Sequence, residues 1–101
     1  MTKNELYDLA IGNAPKDKIP ALYRNMMEEC CETVVDSNLG LPIEEQVTAT
    51  RLTFITALST MKGVVKAGLA TADKVTLTYR GEIYEVEKNS PIEKMLDAWN
   101  N

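Results

Sequence analysis

The stretch 42–69 (PIEEQVTATRLTFITALSTMKGVVKAGL) decides the fold, because it is the longest segment with helical periodicity in the chain. Its middle, 52–61, contains no charged residue. The helix predicted for 42–67 has one face of large apolar side chains: Val47, Phe54, Leu58, Met61 and Val65. The opposite face, called here the small face, consists of Ala49, Thr53, Thr56, Thr60, Gly63 and Ala67. A helix with two such faces can pack on both sides, which predicts a central position for this one.

The small face has three interpretations. Within one chain it would pack against the predicted hairpin or the last helix. Between chains it would form a symmetric helix–helix contact in a homo-oligomer, because small side chains let two backbones approach closely. As a third interpretation, its threonine hydroxyls would line a pocket for a polar ligand.

Composition indicates a single acidic domain, 1–101. The chain is 45% hydrophobic and 26% charged, with a net charge of -4, which is ordinary for a globular protein. The acidic balance argues against general binding to nucleic-acid phosphates, which requires clustered Lys and Arg, and it permits a basic protein partner. The start of the chain has no apolar leader pattern, and the uncharged run 52–61 is too short to span a bilayer. We therefore predict a cytoplasmic protein that does not insert into membranes.

The remaining patterns predict a mainly helical α+β fold. A short first helix is expected at about 2–11 and a longer second helix at about 20–37. Alternating residues on both sides of Arg80-Gly81 predict a hairpin at about 74–87, which would pair Leu77 with Tyr84 on its buried face. Ser90-Pro91-Ile92-Glu93 is a capping box that opens a last helix at about 91–99, whose apolar stripe should bury Trp99.

The second helix carries apolar residues in adjacent pairs four positions apart, which gives it a broad apolar face. The pairs are Leu22/Tyr23, Met26/Met27, Cys30/Cys31 and Val34/Val35. The two cysteines continue these rows, so we interpret them as core residues. Neighbouring cysteines cannot crosslink distant parts of the chain, and the sequence contains no histidine, which excludes imidazole acid–base chemistry.

The second helix also contains the pattern E-E-x-x-E at 28–32, in which Glu28 and Glu32 lie one turn apart and could share a magnesium ion. This pattern resembles the first half of the metal site of the all-helical MazG-like nucleotide pyrophosphohydrolases. The second half of that motif, E-x-x-D on the next helix, is absent here, because neither Glu44 nor Glu45 is followed by an aspartate three residues on. A magnesium-dependent nucleotide hydrolase is therefore kept only as a second alternative function.

The function that the sequence favours is a small non-catalytic binding protein without cofactor or metal. It would self-associate through the small face and act as an inhibitor or adaptor of another macromolecule, as compact acidic proteins do, including some encoded by bacterial viruses. The predicted partner-binding residues form the acidic face of the second helix: Glu28, Glu29, Glu32 and Asp36.

The first alternative is an oligomer that binds a small anionic ligand such as a nucleotide. Its site would lie between subunits and would use Arg51, Lys62 or Lys66 together with threonine hydroxyls of the small face. These cations do not form a stripe along the predicted helix, so the site depends on two chains coming together.

Overall fold

The computed structural model describes residues 3–12, 19–37 and 40–99, and of the last helix it leaves the side chains of Ala98 and Trp99 undescribed. Within these ranges there are four helices and one antiparallel hairpin. In chain order they are α1 Lys3–Ile11, α2 Ala21–Ser37, α3 Ile43–Leu69, β1 Lys74–Tyr79, β2 Glu82–Glu87 and α4 Pro91–Trp99. The predicted mainly helical α+β fold is confirmed. None of these helices is both long and apolar enough to cross a membrane.

The chain divides into two compact units, residues 1–54 (unit 1) and residues 55–101 (unit 2). Unit 1 contains α1, α2 and the first part of α3, and unit 2 contains the rest of α3, the hairpin and α4. The single domain expected from composition remains a prediction. Two predictions lie outside what the structure describes: the burial of the Trp99 side chain and the start of the first helix at Thr2.

The core of unit 1 is built on the two apolar rows of α2. The first three pairs of the predicted pattern are buried: Leu22, Tyr23, Met26, Met27, Cys30 and Cys31. The last pair, Val34 and Val35, is half-buried. α1 packs on α2 and contributes the buried side chains of Leu6 and Ala10. The interpretation of both cysteines as core residues is confirmed, since both are buried and free.

Arg51 closes the C-terminal end of α1. Its Nε donates to the carbonyl oxygen of Ala10 at 3.0 Å, and its Nη2 donates to that of Leu9 at 3.1 Å. The last carbonyls of a helix have no partners within the helix and carry its negative dipole end. α1 has no basic residue in its own last turn. Arg51 therefore supplies from α3 the cation that α1 lacks.

α3 runs two residues past its predicted end at 67. It begins just after Pro42, whose carbonyl accepts from the backbone N–H of Gln46, and it continues through Gly68 to Leu69. A Cβ on Gly68 would lie 2.5 Å from Cγ2 of Val75. The missing side chain thus makes room for β1, which explains why a residue of low helix propensity occupies the last turn.

The hairpin has the predicted register and the predicted turn. Leu77 pairs with Tyr84 and Val75 pairs with Val86. Arg80 and Gly81 both have positive φ, 51° and 83°, as a two-residue turn of the type that matches strand twist requires. Val86 is buried and four other residues of that face are half-buried, namely Val75, Leu77, Tyr79 and Tyr84, whereas the opposite face is exposed. The prediction of a hairpin buried on one side is confirmed.

The capping box of α4 is confirmed, with one change of partner. Ser90 Oγ accepts from the backbone N–H of Glu93 at 3.3 Å. In return, Glu93 Oε1 accepts from the backbone N–H of Asn89 at 2.9 Å, one residue further back than the usual partner. Asn89 has a φ of 65°, a conformation that asparagine tolerates better than most residues.

Candidate functional site

The two faces of α3 differ in exposure. On the large face, Phe54, Leu58 and Val65 are buried, and Val47 and Met61 are half-buried. On the small face, Ala49 is half-buried and the other five residues are exposed: Thr53, Thr56, Thr60, Gly63 and Ala67. Among the residues that the structure describes, only the large face is therefore covered, and the packing on both sides that the sequence suggested needs a further partner.

Large apolar side chains border the small face. Leu52 is 60% exposed and Val64 is 58% exposed. At 100° per residue they lie at the two edges of the small face. Every exposed side chain between 52 and 61 is uncharged. An exposed helix surface normally carries charged residues, so this part of α3 has the composition of a contact surface.

Two threonine hydroxyls of the small face form hydrogen bonds within α3. Thr53 Oγ1 donates to the carbonyl oxygen of Ala49 at 2.8 Å, and Thr60 Oγ1 donates to that of Thr56 at 3.3 Å. A hydroxyl has a single proton to donate. Toward a ligand these two threonines can only accept, which does not suit an anion, whereas their methyl groups remain available for packing.

Gly63 lies at an open position on the small face. A Cβ built on it meets no atom within 4 Å, and its backbone φ is not in the left-handed region. Neither a turn nor a close neighbour within the described chain therefore explains this glycine. Glycine in a helix lowers stability relative to alanine, so the packing of the described residues does not account for it.

The four acidic residues predicted to bind a partner share α2, but they are not equivalent. Glu28, Glu29 and Asp36 are exposed. Glu32 is half-buried and forms an ion pair with Lys3 of α1, with Nζ 3.0 Å from Oε1. The charge of Glu32 is therefore balanced within unit 1, and the exposed part of the acidic face consists of the other three.

A cavity of about 400 Å³ lies beside this acidic face. It carries both signs of charge and is lined by Lys3, Asn4, Tyr7, Asp8, Arg24 and Glu28. Glu28 therefore faces two cations of its own unit. Glu29 and Asp36 are exposed and do not line the cavity.

Each of the three cations of the anion-binding hypothesis has a partner in its own unit. Arg51 is bonded to the end of α1 in unit 1. In unit 2, Lys62 Nζ lies 3.1 Å from Asp97 Oδ1, and Lys66 Nζ lies 3.3 Å from Asp97 Oδ2 and 3.6 Å from Glu93 Oε2. The structure brings Lys62 and Lys66 together around one carboxylate. The anion-binding hypothesis remains a prediction, but binding would require these pairs to break.

Asp97 is the acceptor on which this charge network converges. Hydrogen bonds from Lys62 and Lys66 lower the pKa of its carboxyl below the ordinary value. Glu93 is buried beside Lys66 while it also caps α4. Two lysines one turn apart on α3 thus face two carboxylates one turn apart on α4. The four-residue spacing of these lysines and carboxylates can be read from the sequence. The sequence does not show that α3 and α4 face each other.

The groups that could carry chemistry are few in the described ranges. No cluster of three or more His, Cys, Asp or Glu side chains there could hold a metal ion. Burial raises the pKa of the Cys30 thiol to about 11, and burial together with neighbouring charges raises that of Cys31 to about 12. Both cysteines are therefore protonated at neutral pH, and only the thiolate is a good nucleophile.

No family model, curated protein or solved structure matches this chain. What the fold defines is a mainly helical α+β protein with an uncharged helix face that its own described residues leave open.

Proposed function

We propose that this is a non-catalytic binding protein of the cytoplasm that self-associates through the small face of α3 and binds another macromolecule as an inhibitor or adaptor. The observation that carries the proposal is the exposure of an uncharged helix face between 52 and 67 that contains an unexplained glycine at 63. Contact with a second copy would remove this face from water.

The chemistry of the small face suits close helix packing. Alanine, glycine and threonine let two helix backbones approach, and the hydroxyls of Thr53 and Thr60 already donate to carbonyls of their own helix. Leu52 and Val64 at its edges supply apolar area. Full burial of such a side chain contributes about 1.5–3 kcal/mol, so covering the exposed half of each would add about 1 kcal/mol.

The proposed contact with another macromolecule uses the exposed acids of α2. Glu29 and Asp36 are seven residues apart, which places them on the same side of that helix two turns apart. A partner with a basic surface complements them, and electrostatic attraction of this kind mainly raises the rate of association. Glu28 extends the surface toward α1, whereas Glu32 is held by Lys3.

Self-association is tested by solution mass from light scattering on wild type and on the double variant Thr56→Glu/Gly63→Leu. The matched control is Thr33→Glu on α2, which replaces another exposed helical threonine. We expect an oligomer for wild type and for the control, and a folded monomer for the double variant. A wild-type chain that is monomeric at all concentrations would remove the first half of the proposal.

The contact with a partner is tested separately with Glu29→Lys/Asp36→Lys. The control is Glu82→Lys, an exposed acid at the start of β2 in unit 2. Proteins retained from a cell extract by immobilised wild type should be lost with the double reversal and kept with the control. Retention that is the same for all three would show that the acidic face of α2 is not the binding surface.

A further inference from the structure

One asparagine of the chain is followed by a residue that favours spontaneous deamidation. Asn89 precedes Ser90, and it is the only asparagine in the sequence with serine or glycine directly after it. A small following side chain leaves the next backbone nitrogen accessible to the side-chain carbonyl carbon of the asparagine. Asn89 is also exposed, in the turn that connects β2 to α4. Sequence and exposure therefore mark Asn89 as a candidate modification site.

The reaction at an Asn-Ser bond consumes only water. The backbone nitrogen of Ser90, after losing its proton to water or hydroxide, attacks Cγ of Asn89. The bond between Cγ and Nδ2 breaks, and the side-chain nitrogen leaves as ammonia. Water then opens the resulting succinimide ring at either carbonyl carbon. One opening gives aspartate, and the other gives isoaspartate, in which the main chain runs through Cβ and Cγ of residue 89.

The folded turn holds the backbone on both sides of the reacting side chain. The attacking nitrogen belongs to the N–H of Ser90, which donates to the carbonyl oxygen of Glu87 at 3.1 Å. The N–H of Asn89 itself donates to Glu93 Oε1 at 2.9 Å. Asn89 has a φ of 65°, and a turn that needs positive φ at its third residue favours glycine or asparagine there. The turn thus explains why asparagine occupies this position, and its hydrogen bonds restrain the atoms that would react.

We propose that Asn89 is a deamidation site and that the capped turn before α4 keeps its reaction slow in the folded protein. The nitrogen of Ser90 attacks Cγ of Asn89 only after its hydrogen bond to Glu87 is lost. Isoaspartate inserts one more carbon into the main chain between the nitrogens of residues 89 and 90, so the product does not keep both turn bonds, to Glu87 and to Glu93. Deamidation therefore alters the start of α4 irreversibly. This inference depends on neither the small face nor the acidic face of α2.

The test compares the deamidation rate of the folded chain with that of a peptide of residues 87–93, EKNSPIE, at the same mildly alkaline pH. Tandem mass spectrometry measures conversion at position 89, and chromatography separates aspartate from isoaspartate. We expect the peptide to react about tenfold faster, because the folded chain first has to lose one or two hydrogen bonds of the turn.

A matched pair of variants at Glu93 tests the role of the cap. Glu93→Ala removes the acceptor of the Asn89 N–H, so the rate in the folded chain should rise toward that of the peptide. Glu93→Gln removes the charge but keeps a side-chain oxygen that can accept the same bond, so the slow rate should persist. Asn89→Gly keeps the positive φ and should give no product. Circular dichroism checks that the compared variants are folded.

Three outcomes overturn the proposal. If the folded chain and the peptide react at the same rate, the turn does not protect Asn89. If neither forms aspartate or isoaspartate at position 89, Asn89 is not a deamidation site. If folded Glu93→Ala reacts as slowly as Glu93→Gln and wild type, the cap does not control the rate. A slow wild type together with a fast peptide and a fast, folded Glu93→Ala supports the proposal.

Discussion

Two glycines five residues apart on α3, Gly63 and Gly68, show how the two faces of that helix differ. A Cβ at Gly68 would collide with Val75, whereas a Cβ at Gly63 would meet nothing within 4 Å. The glycine at 68 is explained by packing inside unit 2. The glycine at 63 has no such explanation among the described residues, and it lies on the exposed small face of α3.

The largest expected effect is at the covered glycine. Gly68→Ala places a methyl group 2.5 Å from Val75 Cγ2, and valine has little rotamer freedom with which to move away. Overpacking of this kind costs about 1–3 kcal/mol, and we expect thermal unfolding to show a loss in that range. The paired change Val75→Ala should recover much of it. A Gly68→Ala variant as stable as wild type would contradict the packing described for the last turn of α3.

The second-largest effect is expected at Arg51, which connects α3 to the C-terminal end of α1. Arg51→Met keeps much of the side-chain length but removes the donors to Leu9 and Ala10. The carbonyl of Leu9 also accepts from the backbone N–H of Gly12, so Arg51 adds a second bond there. Two hydrogen bonds from a charged group to helix-end carbonyls are worth about 1–2 kcal/mol at a partly exposed site. Arg51→Met should therefore speed up amide hydrogen exchange in α1 and leave exchange in α4 nearly unchanged. If the amides of α1 exchanged at the same rate in wild type and in Arg51→Met, the capping role of Arg51 would be contradicted.

Replacing Gly63 by alanine should change the free energy of unfolding in the opposite direction to the same replacement at Gly68. In a dilute, monomeric sample, Gly63→Ala should raise the free energy of unfolding by about 0.5–1 kcal/mol, because alanine is the better helix former and nothing blocks its methyl group. At concentrations where the chain self-associates, the same methyl group should weaken the contact between copies. Destabilisation of the monomer would show that the position is not open.

The smallest effect concerns Asp97. Because its folded pKa is lowered, its ion pairs stabilise the fold above the unfolded pKa of about 3.8, and this contribution is lost as pH falls through the folded value. Urea unfolding between pH 5 and pH 2 should therefore be less pH-dependent in Asp97→Asn than in wild type. Identical pH profiles would indicate that the carboxylate of Asp97 is not paired in solution.

Local patterns predicted most of the fold. The hairpin register followed from Arg80-Gly81, and the start of α4 followed from Ser90 and Glu93, because turns and caps depend on neighbouring residues. The apolar rows of α2 predicted its buried side for the same reason. The extension of α3 past Gly68 was missed, because the space at that glycine is created by Val75.

The candidate site was predictable only in part. The small face of α3 was recognisable from periodicity, but its exposure depends on what the remaining elements cover. The roles of Arg51 and Asp97 were missed, since their partners lie 41 and more than 30 residues away along the chain. Lysines 62 and 66 and the acids 93 and 97 share a four-residue spacing, which could have suggested that the two helices face each other.

Self-association through the small face is tested most directly by the mass of the wild-type chain, measured by light scattering over a dilution series. We expect a mass of at least twice 11.2 kDa at high concentration that falls toward 11.2 kDa on dilution. That result would show reversible self-association, as covering of the small face by a second copy requires. A constant 11.2 kDa up to millimolar concentration would contradict self-association, and Gly63 would then be left without a role.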